Sequence, residues 1–191
     1  GIKIKKIIFI ISIFYVLNVY GDVFMYQNFE YMTKFKKAKE MKEMSGEIEI
    51  ESSITAVNAI LKYETENRKI KLKLKEKDRA KIIEITQKYL AWAEVAEKKG
   101  MKMDKVIEKM EKMQIIIEKE SNSLTINRDI TFNLFYYDTE KYYMAIEYTE
   151  VQGKIPERIF LNREQSIEML NKINEEAIKD GIKLHEINTE I

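Results

Sequence analysis

Three groups of side chains in this 191-residue chain have types and spacings that chemistry can use. The first is Glu47, Glu49 and Glu51, which alternate with Ile48 and Ile50. On a strand the three carboxylates share one face, an arrangement able to hold calcium or to divide into acid and base. Glycosidase-type catalysis instead needs two carboxylates converging on a cleft, one of them raised in pKa by burial. A ladder on a strand face offers no burial, so these residues read as a solvated face balanced by Lys71, Lys73 and Lys75. The second is His185, the single histidine, in the polar stretch IKLHEINTEI. No serine or cysteine nucleophile context accompanies it, and it reads as a surface side chain.

The third group is aromatic. In DITFNLFYYDTEKYYMAIEYTEV, a hairpin turning at residues 138–141, Ile130, Phe132, Leu134 and Tyr136 alternate onto one face and Tyr142, Met144, Ile146 and Tyr148 return on it. Parity puts Phe135, Tyr137 and Tyr143 on the opposite face. If helices cover the first face, these three are left outside, where they can stack on a glycan or form a protein interface. The alternative is that residues 22–45 lie over them. Phe135, Tyr137 and Tyr143 are the candidate binding residues. No catalytic residue, metal ligand or cofactor is assigned: the chain has no G-x-S-x-G, P-loop, H-E-x-x-H or dinucleotide motif, and no cysteine. The methionines of MKMDKVIEKMEKM read as gap-fillers under a connecting segment.

The elements that must position the hairpin follow from periodicity. Ile48 and Ile50 alternate with glutamates. Apolar parity then switches near Val57 and Asn58, and Ile70, Leu72 and Leu74 alternate with lysines, so two strands joined by a polar loop should pair antiparallel. The segment of about 77–99 predicts an amphipathic helix closed by Gly100, and about 163–180 a second, with Asn162 and Gln165 at capping-box spacing, an apolar face of Ile167, Leu170, Ile173 and Ala177, and Gly181 at its end. Residues 22–46 predict a short amphipathic helix with a frayed basic end, because Phe24, Met25, Phe29, Met32 and Phe35 share one helical arc. The expected fold is α+β: an antiparallel sheet with the two helices packed on one face, in a single domain of 47–191. A gapless match of Leu74 with Leu161 suggests two strand-helix units related by pseudo-symmetry.

The N-terminal run KKIIFIISIFYVLNVYGD bears on location. Its apolar core, 7–17, is preceded by Lys3, Lys5 and Lys6 and is shorter than the roughly 20 residues a membrane-spanning helix needs. It predicts a signal peptide, residues 1–21, cleaved after Gly21, and an exported periplasmic or extracellular protein of bacterial type. Membrane contact is then limited to export or to an uncleaved anchor. The whole chain has 33 basic and 32 acidic residues; without the three N-terminal lysines it has 30 against 32, which removes the basic excess that nucleic-acid binding needs. The expected function is an envelope binding or protein-interaction module without catalysis, its partner a protein or glycan on the aromatic sheet face. The competing class is a secreted hydrolase of envelope material with unassigned carboxylates.

Overall fold

The structure, a computed structural model, describes residues 21–137 and 141–190. Strands β1 (Asp22–Thr33), β2 (Lys42–Ser52), β3 (Val57–Glu64) and β4 (Lys69–Leu74) lead into helix α1 (Glu76–Lys98). Strands β5 (Lys105–Glu118), β6 (Ser123–Tyr137), β7 (Lys141–Tyr148) and β8 (Glu157–Leu161) lead into helices α2 (Arg163–Ile173) and α3 (Glu175–Thr189). All eight strands pair antiparallel with their sequence neighbours, and the sheet closes into a barrel through β1 and β8. The α+β class is correct, and the sheet is the larger part of it.

Alternation explains the two sides of the wall. Phe29, Tyr31, Ile48, Ile50, Leu61, Ile70, Leu72, Ile115, Phe132, Leu134, Met144 and Ile159 are buried in one continuous core. Between them the outward residues are charged and paired across strands: Lys62 Nζ lies 3.0 Å from Glu47 and 3.1 Å from Glu49, Lys73 2.7 Å from Glu51, and Lys71 2.9 Å from Glu118. This gives a wet outer wall around a core made of every second residue.

The helices fill what the strands leave open. Arg79, near the start of α1, donates to the carbonyls of Val57 and Leu74, and Tyr89 donates to the Tyr142 carbonyl at 2.8 Å. Those carbonyls belong to the start of β3, the end of β4 and the start of β7, so α1 crosses and stoppers that end of the barrel. Helices α2 and α3 run beside β1 in the opposite direction: Lys172 donates to the Asn28 carbonyl, the Tyr26 hydroxyl to the Ala177 carbonyl, and His185 lies 2.7 Å from Asp22. Among the described residues no helix is long and apolar enough to cross a membrane.

Several expectations are corrected. Residues 22–46 are not helical; they form β1, the 34–41 connection and the start of β2. The register shifts between Met25 and Gln27, so the strand's parity changes there and its aromatics mimic a helical arc. The segment 105–113 is the first part of β5, again hidden by register shifts, one of them at Lys112, whose φ is 52°. Candidate strands 124–126 and 130–136 are one long strand, β6. The helix expected over 163–180 breaks at Asn174, whose extended backbone ends α2 and whose side chain accepts from the Ala177 N–H to start α3. That helix then continues through Gly181 to Thr189. Gly181 serves close packing there, since a Cβ would lie 2.6 Å from the Tyr26 ring. The inward face of α2 is Gln165, Ser166, Met169 and Ile173, while Ile167 is 42 % exposed. The proposed signal segment, apart from Gly21, and most of the 138–141 turn lie outside the described residues.

Candidate functional site

The aromatic candidates do share the outer face of β6 and β7. Phe135 pairs directly with Tyr143, and Tyr137 with Lys141, so the cross-strand neighbour of Tyr143 is Phe135. On β8, Phe160 joins them: its ring centroid is 5.1 Å from Phe135 and 6.3 Å from Tyr143, the second contact edge-on. Tyr143, Ala145 and Phe160 form a small second core outside the barrel, with Met32, Met41, Phe135 and Tyr137 against it. Tyr143 is only 6 % exposed, which corrects its expected place on a bare surface, whereas Phe135 and Tyr137 are half-buried. Burial, with a contribution from Tyr137, pushes the Tyr143 phenol above its ordinary pKa, so it is a neutral packing group at physiological pH.

The cover comes from the connection between β1 and β2. The Tyr137 hydroxyl donates to the Lys39 carbonyl at 2.7 Å, and Lys34 Nζ sits 4.6 Å above the Tyr137 ring. The expectation that residues 22–45 lie over the aromatic face is thus met in part, by strand end and loop and not by a helix. Beside this cover runs a groove of about 340 Å³ with Phe135 and Phe160 as its aromatic lining, Lys34 and Lys36 on the loop side, Thr65, Glu66 and Asn67 from the turn between β3 and β4, and Ile155, Pro156, Glu157 and Arg158 leading into β8; Glu66 accepts from the Lys36 backbone N–H at 2.8 Å. Ile155 is 75 % exposed. Arg158 is bound to Glu147 across the strand pair at 3.1 Å, and Glu157 accepts from Thr65 and Asn67. The sequence reading missed Phe160, Lys34, Lys36 and Ile155. The signal present in the sequence was the lysine-rich run KFKKAKEMK, misassigned to a helix end.

The other candidates are dispersed. Glu47, Glu49 and Glu51 lie on the outer wall, bonded to lysines instead of facing a cleft. Burial would push the Glu51 carboxyl up, but hydrogen bonds from Lys73 and Asn58 outweigh it and hold the group below its ordinary value, the opposite of a general acid. His185 is not a free side chain: it stacks on Phe24 at 3.7 Å and bonds Asp22, latching α3 to the start of β1. Among the described residues no cluster of three or more histidine or acidic side chains is arranged to hold a metal. With this geometry in view, comparison with protein-family models, with characterised proteins and with solved structures finds no match to the chain.

Proposed function

We propose that this chain is a non-catalytic binding module, exported to the cell envelope, whose partner meets the outer face of β6–β8 at Phe135 and Tyr137. The observation that carries this reading is the groove beside them. Along β2 to β5 the wall lysines pair with carboxylates, whereas here half-buried aromatics adjoin Lys34 and Lys36, which among the described residues form no salt bridge although Glu66 and Glu157 line the same groove. Apolar rings with a wet edge are the residues that concentrate binding energy at protein interfaces. Export is supported by the lysine-flanked apolar run of residues 3–17.

We also read the two halves as a duplicated unit with helices packed on the same inner side of the sheet. Four strands and a helix occur twice in the same order. Side chains of α1 and α2, including Ile85, Tyr89, Met169 and Ile173, join one core. In each half a helix lysine donates to a carbonyl of the adjoining strand, Lys88 to Ile107 and Lys172 to Asn28.

The binding reading is tested by immobilising the chain and its Phe135→Ser/Tyr137→Ser variant and comparing what each captures from envelope extract. A specific protein or glycan retained by the first and lost by the second, with thermal melts within a few degrees, supports it. Identical capture profiles overturn it.

A further inference from the structure

The two seams of the barrel differ at one place. Between β4 and β5 the strands stay paired to the rim, Lys69 opposite Glu118, Ile70 opposite Ile117, Lys71 opposite Ile116 and Leu72 opposite Ile115. Among the described residues the pairing between β8 and β1 is Met32 opposite Phe160 alone. Strand β1 stops at Thr33, and among the described residues 157–159 of β8 find no strand partner on that side. The groove lies along this stretch, lined by Glu157, Arg158 and Phe160 of β8, by Lys34 and Lys36, and by Thr65, Glu66 and Asn67; its two carboxylates are already engaged, Glu66 by the Lys36 backbone N–H and Glu157 by Thr65 and Asn67. An open strand edge offers backbone donors and acceptors in register for another chain.

Charge selects the kind of chain. Residues 34–42 hold Lys34, Lys36, Lys37, Lys39 and Lys42 against the single Glu40. Among the described residues none of these five makes a salt bridge, and Lys34 is turned to the Tyr137 ring instead. From this combination we infer that the groove takes an extended acidic peptide segment of a partner protein, which adds as a strand to the β8 edge. Residues 157–159 span about 10 Å at 3.3 Å per residue, enough for three residues of the guest. Guest side chains of one parity then lie on the outer face, where Phe135, Phe160 and the Lys34 ammonium stand together; there glutamate carboxylates reach Lys34 while their methylene stems rest on the rings. The inference rests on the binding reading above and names its ligand.

The test uses the full chain and fluorescein-labelled heptapeptides read by anisotropy. The probe alternates glutamate and valine; a second replaces glutamate by lysine; two more carry N-methyl groups on every valine or on every glutamate. In a strand, residues of one parity aim their N–H groups to the same side, so strand addition predicts that one N-methyl peptide loses binding at least tenfold while the other keeps it. The lysine peptide is expected not to bind, and Lys34→Glu/Lys36→Glu to weaken the acidic probe at least tenfold with the melt unchanged. Equal binding of the two N-methyl peptides, no preference for the acidic peptide, or no binding of any peptide overturns the inference. If that happens while Phe135→Ser/Tyr137→Ser still abolishes capture from extract, strand addition is wrong and the binding reading stands; if capture is also unaffected, both fall.

Discussion

Tyr89 is the residue on which the placement of α1 can be tested with a single atom. It is fully buried, and its hydroxyl donates to the Tyr142 carbonyl at 2.8 Å, joining the middle of the helix to the start of β7. Tyr89→Phe keeps the ring and its packing but leaves that carbonyl without this donor. The net worth of such a bond is about 1 kcal/mol. For a domain of this size each kcal/mol lowers the melting temperature by roughly 2–4 °C. Tyr89→Ala removes the ring as well and should cost about 3–5 kcal/mol, as large aromatic truncations in cores do. Lys98→Ala, on the exposed end of the same helix, removes only a solvent-screened pair with Glu94 and should leave the midpoint almost unchanged. Urea unfolding followed by circular dichroism should therefore rank the midpoints Lys98→Ala, Tyr89→Phe, Tyr89→Ala in descending order. A Tyr89→Phe midpoint equal to that of the unaltered chain would show that the hydroxyl holds nothing and that α1 does not stopper the barrel at β7.

Three further outcomes are expected. Tyr143→Ser should unfold well below the unaltered chain whereas Phe135→Ser should not, because the first side chain is in the outer core and the second half-exposed; equal melts would refute the division. Gly181→Ala should destabilise by up to about 2 kcal/mol: the gain of about 1 kcal/mol in helix propensity is outweighed by the clash with the Tyr26 ring, which its hydroxyl bond to Ala177 keeps from swinging away, and a more stable variant would refute this. Since the folded-state pKa of Glu51 is depressed, its bonds to Lys73 and Asn58 stabilise fully above the ordinary value of 4.5 and are lost as pH falls through the folded value; Glu51→Gln should therefore be less stable at neutral pH by up to about 1 kcal/mol and converge with the parent once pH has fallen below that depressed value, as melts from neutral to acid pH would report.

The parts of the fold that could be read in the sequence are those where one period runs unbroken. The alternations Ile48 and Ile50, Ile70 to Leu74 and Phe132 to Tyr136 face inward as their parity requires, and α1 begins and ends within a residue of its expected bounds. Strands β1 and β5 were hidden by their own irregularities. A shift at Met25 and Gln27 and another around Lys112 each move the parity of a strand in mid-course, so neither stretch shows a sustained period of two. Asn174 was hidden because its role is double: the same residue caps the end of one helix and the start of the next. Closure into a barrel brings Met32 opposite Phe160, 128 residues apart, and no local pattern encodes that pairing. The hairpin's aromatic parity was legible, but its cover was not, because Lys39 and Met41 reach it only once β1 has been recognised as a strand that returns through a loop.

Lysines at a sheet edge have a second explanation, which the aromatic lining helps to weigh. Charged edge residues keep strands of different molecules from pairing, and Lys34 and Lys36 stand where such a guard is useful. A guard needs only charge, of either sign, and has no use for Phe135 and Phe160 packed 5.1 Å apart beside it. The two roles respond oppositely to substitution. If the lysines only guard, Lys34→Glu/Lys36→Glu leaves the parent's oligomeric state and everything else unaltered, while Lys34→Thr/Lys36→Val, which removes charge and adds strand-forming side chains, produces added concentration-dependent association. If they recruit an acidic strand, the glutamate variant keeps the parent's oligomeric state but loses the glutamate-valine probe and acquires affinity for its lysine-valine counterpart, because the aromatic lining and the β8 edge are unchanged and only the sign of the selecting charge is inverted. Light scattering of both variants, set beside the anisotropy of both peptides, separates the cases. A glutamate variant that keeps the parent's oligomeric state and binds neither peptide differently from the parent would leave the lysines as guards and remove charge selection from the groove.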